Sequence, residues 1–149
     1  MKAVIQRVSS AKVTTGRELL ARIGKGLVIL LGVAEEDGEK DKDYVADKVA
    51  NLRIFDDHNG KLNLSIKNIA GEILVVSQFT LLADCRKGRR PSFAKAAQPD
   101  RANQLYKEFI EKLEESGLSV KEGRFQAKMS LELINDGPVT ILLDSSKDF

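Results

Sequence analysis

The sequence predicts an α+β fold: one domain over residues 1–149, with a mostly antiparallel, barrel-like β-sheet and two main helices. Three observations carry this expectation. Strand-type segments fill the first third of the chain and return near Val120. Two stretches of helical periodicity stand apart from them. No repeat, low-complexity tract or linker divides the chain.

Ala3 to Thr14 carries strand-forming residues, and Gly16 marks a turn. Glu18 to Ile23 is a second short strand, closed by Gly24-Lys25-Gly26. The run Leu27-Val28-Ile29-Leu30-Leu31-Gly32-Val33 suits a strand buried on both faces. Carboxylates between Glu35 and Glu39 suit a helix N-terminus. Tyr44, Val45, Val49 and Leu52 follow at helical spacing and predict a helix from about Lys42 to Leu52. Asp57-His58-Asn59-Gly60 is a turn, with Asn-Gly its strongest signal. Ile73 to Val76 is a buried strand that runs directly into Ser77-Gln78-Phe79-Thr80. After a basic loop and Pro91-Ser92-Phe93, a second helix opens near Pro99. Its stripe of Ala102, Leu105, Tyr106, Phe109, Ile110 and Leu113 packs into the core, and Gly117 ends it. Strands at Val120 to Arg124, Met129 to Asn135 and Val139 to Asp144 complete the order, with Asp136-Gly137-Pro138 joining the last two.

A domain of 149 residues buries about 68–70% of its unfolded surface. Hydrophobic content of 42% and charged content of 31% are those of a soluble globular chain. No apolar run approaches the ~20 residues that span a bilayer, and Met1 to Val8 reads as a strand, not a signal peptide. The expectation is a cytoplasmic protein without membrane contact. Cys85 is the sole cysteine, so an intrachain disulfide is impossible. With His58 the sole histidine, a metal site built from several His and Cys ligands is excluded. No carboxylate spacing suggests magnesium, and neither a Walker A pattern nor Gly-x-Gly-x-x-Gly occurs. No metal and no cofactor are therefore expected.

The same inventory narrows the chemistry. His58 lies in a turn among polar neighbours, where a solvated role is the ordinary one. Cys85 sits beside a basic loop that could lower its pKa, but has no assured base partner. Net charge is only +2, yet Arg86-Lys87-Gly88-Arg89-Arg90 concentrates four cations, fit either for phosphate contact or for solvent. Two places stand out. Ser77 to Thr80 is a polar cluster with one aromatic at a strand end, either a ligand platform or a satisfied strand edge. Gly137-Pro138 interrupts two apolar strands, because proline cannot donate to a ladder. It is either a hairpin turn or a cis peptide.

At these segments the chain resembles the D-aminoacyl-tRNA deacylase family. The likeness runs through Ala3-Val4-Ile5-Gln6-Arg7-Val8, Leu52-Arg53-Ile54-Phe55 and Ser77-Gln78-Phe79-Thr80-Leu81. It continues through Lys87-Gly88-Arg89-Arg90-Pro91-Ser92-Phe93, Gly123-Arg124-Phe125-Gln126-Ala127-Lys128-Met129 and Asn135-Asp136-Gly137-Pro138-Val139-Thr140. Six blocks in order cover essentially the whole length. Gln126 is a departure, standing where many members of the family carry glycine.

The resemblance implies a metal-independent hydrolase acting on the ester between a D-amino acid and the 3′ end of tRNA. It also implies removal of glycine mischarged on tRNA(Ala). The family acts as a homodimer, with Gly-Pro of one subunit inserted into the pocket of the other. Catalytic roles then fall to Phe79, Thr80, Gly137 and Pro138. Substrate binding falls to Ser77, Gln78, Phe125, Met129, Asn135 and Arg7. Phe79 would offer its main-chain N–H to an oxyanion, Phe125 and Met129 would hold the terminal adenine, and Arg7 would fix the Gly-Pro segment. With a cis bond, both carbonyls of Gly137-Pro138 can point into the pocket and exclude every L-residue. Thr80 is a weak nucleophile without a visible base, so assistance by the tRNA 2′-hydroxyl is preferred. Two rival readings remain at this point: a nucleic-acid-binding module without catalysis, and a relaxed deacylase with a trans Gly-Pro bond.

Overall fold

The computed structural model describes residues 1–148. In chain order its elements are β1 (Lys2–Thr15), β2 (Glu18–Ile23), β3 (Gly26–Gly32), α1 (Glu39–Asn51), β4 (Phe55–Asp56) and β5 (Leu62–Leu64). These are followed by β6 (Glu72–Ser77), a 3-10 turn (Phe79–Leu82), α2 (Pro99–Glu115), β7 (Ser119–Glu122) and β8 (Ser130–Asp144).

β1 is the shared strand of the sheet. One edge pairs antiparallel with β3 along Lys2 to Val8, then with β2 along Ala11 to Thr15. The other edge pairs antiparallel with β8 from Lys2 to Thr14. Beyond β3 the order continues through β6 to β7, and both of these pairings are parallel. The sheet is therefore mixed. α1 lies between β3 and β6 in the chain and α2 between β6 and β7, the helical crossovers that parallel neighbours require. β2 and β7 end the path, and side chains bridge the seam between them. Lys121 Nζ donates to the Arg22 carbonyl at 2.6 Å and pairs with Glu72 at 3.0 Å. Glu72 in turn accepts the Gly24 N–H at 2.7 Å. The result is a nearly closed barrel with two helices packed outside it.

This arrangement gives two cores and explains the apolar runs. Leu27, Ile29 and Leu31 of β3, with Ile73 and Val75 of β6, pack with Val45 and Val49 of α1 and Phe109 of α2. The alternate residues Val28, Leu74 and Val76 turn into the barrel, meeting Val8, Val13 and Ile23. A strand with apolar neighbours on both faces needs no polar alternation. Tyr106 of α2 is buried, and its hydroxyl donates to the Val75 carbonyl at 3.0 Å. Burial, the largest influence, pushes that phenol's pKa up.

α1 begins at Glu39, earlier than the apolar spacing alone indicates. The Gly38 N–H donates to the Asp41 carboxylate at 2.9 Å, and Glu39 and Asp41 place negative charge at the helix start. α2 opens on Pro99, and Gly117 adopts φ +84° just beyond its end, as the sequence indicates.

The last strand differs from expectation. Residues on both sides of Gly137-Pro138 pair with β1, so the chain does not reverse there. Gln6 faces Thr140 and Val8 faces Asn135, leaving Asp136, Gly137, Pro138 and Val139 opposite Arg7 alone. The ladder bulges outward where proline has no N–H to give, then resumes.

Gly26 sits where β3 meets β6 in register with Glu72, and an added Cβ would lie 1.8 Å from the Glu72 carbonyl oxygen. Main chain cannot yield as a side-chain tip can. Gly26→Ala is expected to destabilise the protein by about 3 kcal/mol or more. Thermal denaturation should show a fall in Tm of roughly 10 °C for a chain of this size.

Candidate functional site

β6 and the turn that follows it build one wall of a cavity of about 600 Å³. Ser77 is the last residue of β6, in register with Leu31 of β3. The Gln78 N–H donates to the Leu31 carbonyl at 2.8 Å, which holds the chain against β3 as it leaves the sheet. Phe79 then opens the 3-10 turn, with its ring 56% exposed and edge-on to Phe93 at 5.0 Å between centroids. The first bond within the turn runs from the Leu81 N–H to the Gln78 carbonyl, at 3.2 Å. The N–H groups of Phe79 and Thr80 precede it and are orphan donors of the turn. The Gln78 amide donates to the Thr80 hydroxyl.

The opposite wall comes from the segment before β8. Phe125 packs on Tyr106 with centroids 6.0 Å apart, and Met129 lines the cavity beside it. The Met129 sulfur accepts the Arg124 N–H at 3.3 Å. Gly123 makes this possible, since a Cβ there would stand 2.7 Å from that sulfur. Gln126 between them has φ +60°, the left-handed region that favours glycine. Here a glutamine bears the cost of that backbone. Ala96, Ala97, Pro99 and Ala102, at the approach to α2 and in its first turn, complete the lining. No residue of this lining is ionisable.

Gly137-Pro138 lies away from this cavity. Both residues are exposed at the crest of the β8 bulge, and the bond between them is cis. The trans alternative is thus not the form present. Arg7, only 5% exposed, anchors the segment from below. Its Nη1 donates to the Ile54 carbonyl at 2.9 Å and its Nε to the Asp136 carbonyl at 3.2 Å. The Asp136 and Asp56 carboxylates lie at 3.2 and 3.3 Å and neutralise it. Gly137 takes φ +116°, and a Cβ there would meet Arg7 Nη2 at 2.9 Å. Only glycine combines that backbone with so close an approach. Asn135 staples the base of the bulge, its amide donating to the Arg7 carbonyl at 2.9 Å and to the Val139 carbonyl at 3.0 Å.

The structure therefore brings together Ser77, Gln78, Phe79, Phe125 and Met129 around one cavity. Arg7, Asn135, Gly137 and Pro138 form a second group, centred on the bulge. Thr80 is exposed on the 3-10 turn and its side chain is not part of the cavity lining. His58 is exposed in the turn between β4 and β5, and Cys85 is exposed in the basic loop. The alanines at 96, 97 and 102 escape sequence reasoning because their contribution is absence of bulk. Among the described residues no helix is long and apolar enough to cross a membrane.

A family model described as D-Tyr-tRNA(Tyr) deacylase matches residues 4–144. The chain belongs to that family. A relative from Clostridioides difficile (strain 630), named D-aminoacyl-tRNA deacylase, is 59% identical over all of both chains. One of the same name from Thermotoga petrophila is 56% identical, again over the full length of both. Among solved structures, one titled c-Myc DNA Unwinding Element Binding Protein superposes with a TM-score of 0.91 at 42% identity, covering 97% of this chain and 98% of that one. A second, titled as a probable eukaryotic D-amino acid tRNA deacylase, gives 0.82 at 16% identity over 95% and 97% of the two chains, a likeness of fold.

Arg7→Met removes the donor to the Ile54 carbonyl and releases Asp136 while keeping much of the side chain's volume. The expected cost is about 1–3 kcal/mol for the unpaired buried group. Chemical denaturation measures it, and proteolysis near residue 137 should quicken as the bulge loosens.

Proposed function

We propose that this chain hydrolyses the ester joining a D-amino acid, or glycine, to the 3′ end of tRNA, in the cytoplasm and as a homodimer. The full-length likeness to curated relatives named D-aminoacyl-tRNA deacylase supports the reaction. The observation that carries the mechanism is the uncharged cavity wall: hydroxyl, amide, thioether, aromatic and alkyl groups, with no side chain able to act as a base near neutral pH.

In this reading the terminal adenine lies against Phe125 and Met129, and the ester carbonyl approaches Ser77 to Phe79. The Phe79 N–H stabilises the oxyanion as water adds to the carbonyl carbon. The ribose 2′-hydroxyl next to the ester helps to activate that water. The ester bond then breaks toward the 3′ oxygen, leaving free amino acid and tRNA. Thr80, already accepting from Gln78, has a structural place in the turn beside the wall.

Selectivity comes from the bulge of the second protomer. Gly137-Pro138 stands exposed on one face of the protomer and Arg7 holds it rigid, the qualities of a group meant to enter a neighbour's pocket. Main-chain atoms pressed to one side of the α-carbon leave room for hydrogen there and for no L side chain. Every L-residue is rejected by the same contact, and glycine passes. Exposed Ile134 and Leu142, on β8 either side of the bulge, offer apolar area for the subunit contact.

Deacylation of D-, L- and glycyl-tRNA tests the reading directly. Cleavage of the D and glycyl esters with L spared is expected; tRNA binding without cleavage of any ester overturns it in favour of a binding module. Thr80→Ala is expected to keep most of the activity. Gly137→Ala is expected to lower D-aminoacyl-tRNA turnover at least about tenfold, roughly 1.4 kcal/mol in the barrier, with the fold retained by circular dichroism.

A further inference from the structure

The cavity wall holds no cation, yet the proposed substrate ends in a chain of phosphates. Those charges must be met outside the cavity. The basic loop lies between the 3-10 turn and α2, so it borders the wall through residues at both of its ends. On one side Phe79 lines the cavity, and on the other Phe93 packs edge-on against Phe79. The loop's base is pinned by an antiparallel bridge, with Asp84 N–H to Ser92 carbonyl at 2.8 Å and Ser92 N–H to Asp84 carbonyl at 3.0 Å. Gly88, at φ +70°, turns its tip.

The four cations of this loop are not equivalent. Arg86 is occupied: its Nε and Nη2 donate to the Asp84 carboxylate at 2.9 and 2.6 Å, and its N–H donates to the same group at 3.0 Å. These bonds hold the Asp84 carboxyl far below the usual carboxylate range. Lys87, Arg89 and Arg90 are exposed, and among the described residues none of them makes an ion pair. A second groove, which Asp84, Cys85 and Arg86 line from the loop, is acidic on balance: Glu35, Glu36, Asp37, Asp41, Asp144 and Asp148 outweigh Lys2 and Lys95. A polyanion is repelled from that side and steered toward the cavity side of the loop.

We infer that Lys87, Arg89 and Arg90 bind backbone phosphates of the tRNA acceptor end, positioning it so that its terminal adenosine enters the cavity. The inference rests on the deacylase reading given above. Arg86 belongs to the scaffold, because its charge is spent on Asp84 and it braces the loop from which the other three project. The contact is electrostatic and indifferent to base identity.

The test compares two substrates with one variant, Lys87→Ala/Arg89→Ala/Arg90→Ala: a D-aminoacyl-tRNA and the phosphate-free ester of the same amino acid with adenosine. On tRNA, KM is expected to rise roughly tenfold with kcat held, and the log–log dependence of 1/KM on salt to become shallower by about 2 to 3. The adenosine ester should be cleaved at the wild-type rate. Arg89→Lys/Arg90→Lys, which keeps the charges, should restore KM, and melting should be unchanged throughout because the loop is exposed. Unchanged KM and salt dependence on tRNA would overturn the inference, leaving the loop a solvated turn. An equal loss on both substrates would also overturn it, assigning the loop to cavity shape. Wild-type protein that cleaves neither ester removes the deacylase reading and the inference together.

Discussion

Arg7 is a guanidinium in a strand whose neighbouring inward positions are Ala3 and Ile5, and its burial has to be compensated. Compensation comes from three directions: the Ile54 carbonyl below, the Asp56 carboxylate beside it, and the carbonyl and carboxylate of Asp136 above. Opposite this residue the β1–β8 ladder opens, and Asp136 to Val139 leave the sheet. The charge and the bulge depend on each other. Without the bulge, Arg7 would lack the Asp136 oxygens; without Arg7, four residues outside the ladder would have little to hold their shape. A charged group inside a strand thus supplies a rigid projection that an all-apolar β1 could not.

The cavity follows the opposite rule. Its wall is uncharged, and its specific features are small side chains and the path of the main chain. Gly123 admits the Met129 sulfur, Ala96 and Ala97 keep bulk away, and the Leu31 carbonyl fixes where Gln78 leaves the sheet. Rigid main-chain groups are well suited to sensing handedness, because the α-carbon differs between enantiomers whatever side chain it bears. Charge is kept to the periphery, where the basic loop borders an acidic groove through Cys85 and Arg86.

Much of this was legible in the sequence, for local reasons. The runs in β3 and β6 announced burial on both faces, the stripe of α2 its packing, and Pro99 and Gly117 its limits. Ser77 to Thr80 reads as a polar cluster with one aromatic at the end of an apolar strand, and the structure places it at the end of β6 and in the turn that follows. The parallel pairing of β3, β6 and β7 was not legible, because strand order depends on contacts distant in sequence. Gly137-Pro138 reads as a reversal when only its neighbours are considered, since nothing nearby reveals that both flanks share β1 as partner. The two carbonyls that the Asn135 amide holds are likewise hidden, because one of them belongs to Arg7, distant in sequence. The left-handed backbone at Gln126 was concealed by a residue that does not ordinarily adopt it.

The pairing of β1 with β8 joins the two ends of the chain, Lys2 with Asp144. A ribosome adding roughly 5–20 residues per second delivers β1 many seconds before its partner on that edge. Until then one edge of β1 lacks its ladder, Arg7 lacks Asp136, and the projection of Gly137-Pro138 does not exist. The nascent protein can build the helix-facing core early, but the bulge at Gly137-Pro138 forms last. A chain cut short by premature termination before residue 130 would contain the residues of β6 and of the turn after it while lacking all of β8 and the bulge that Arg7 anchors.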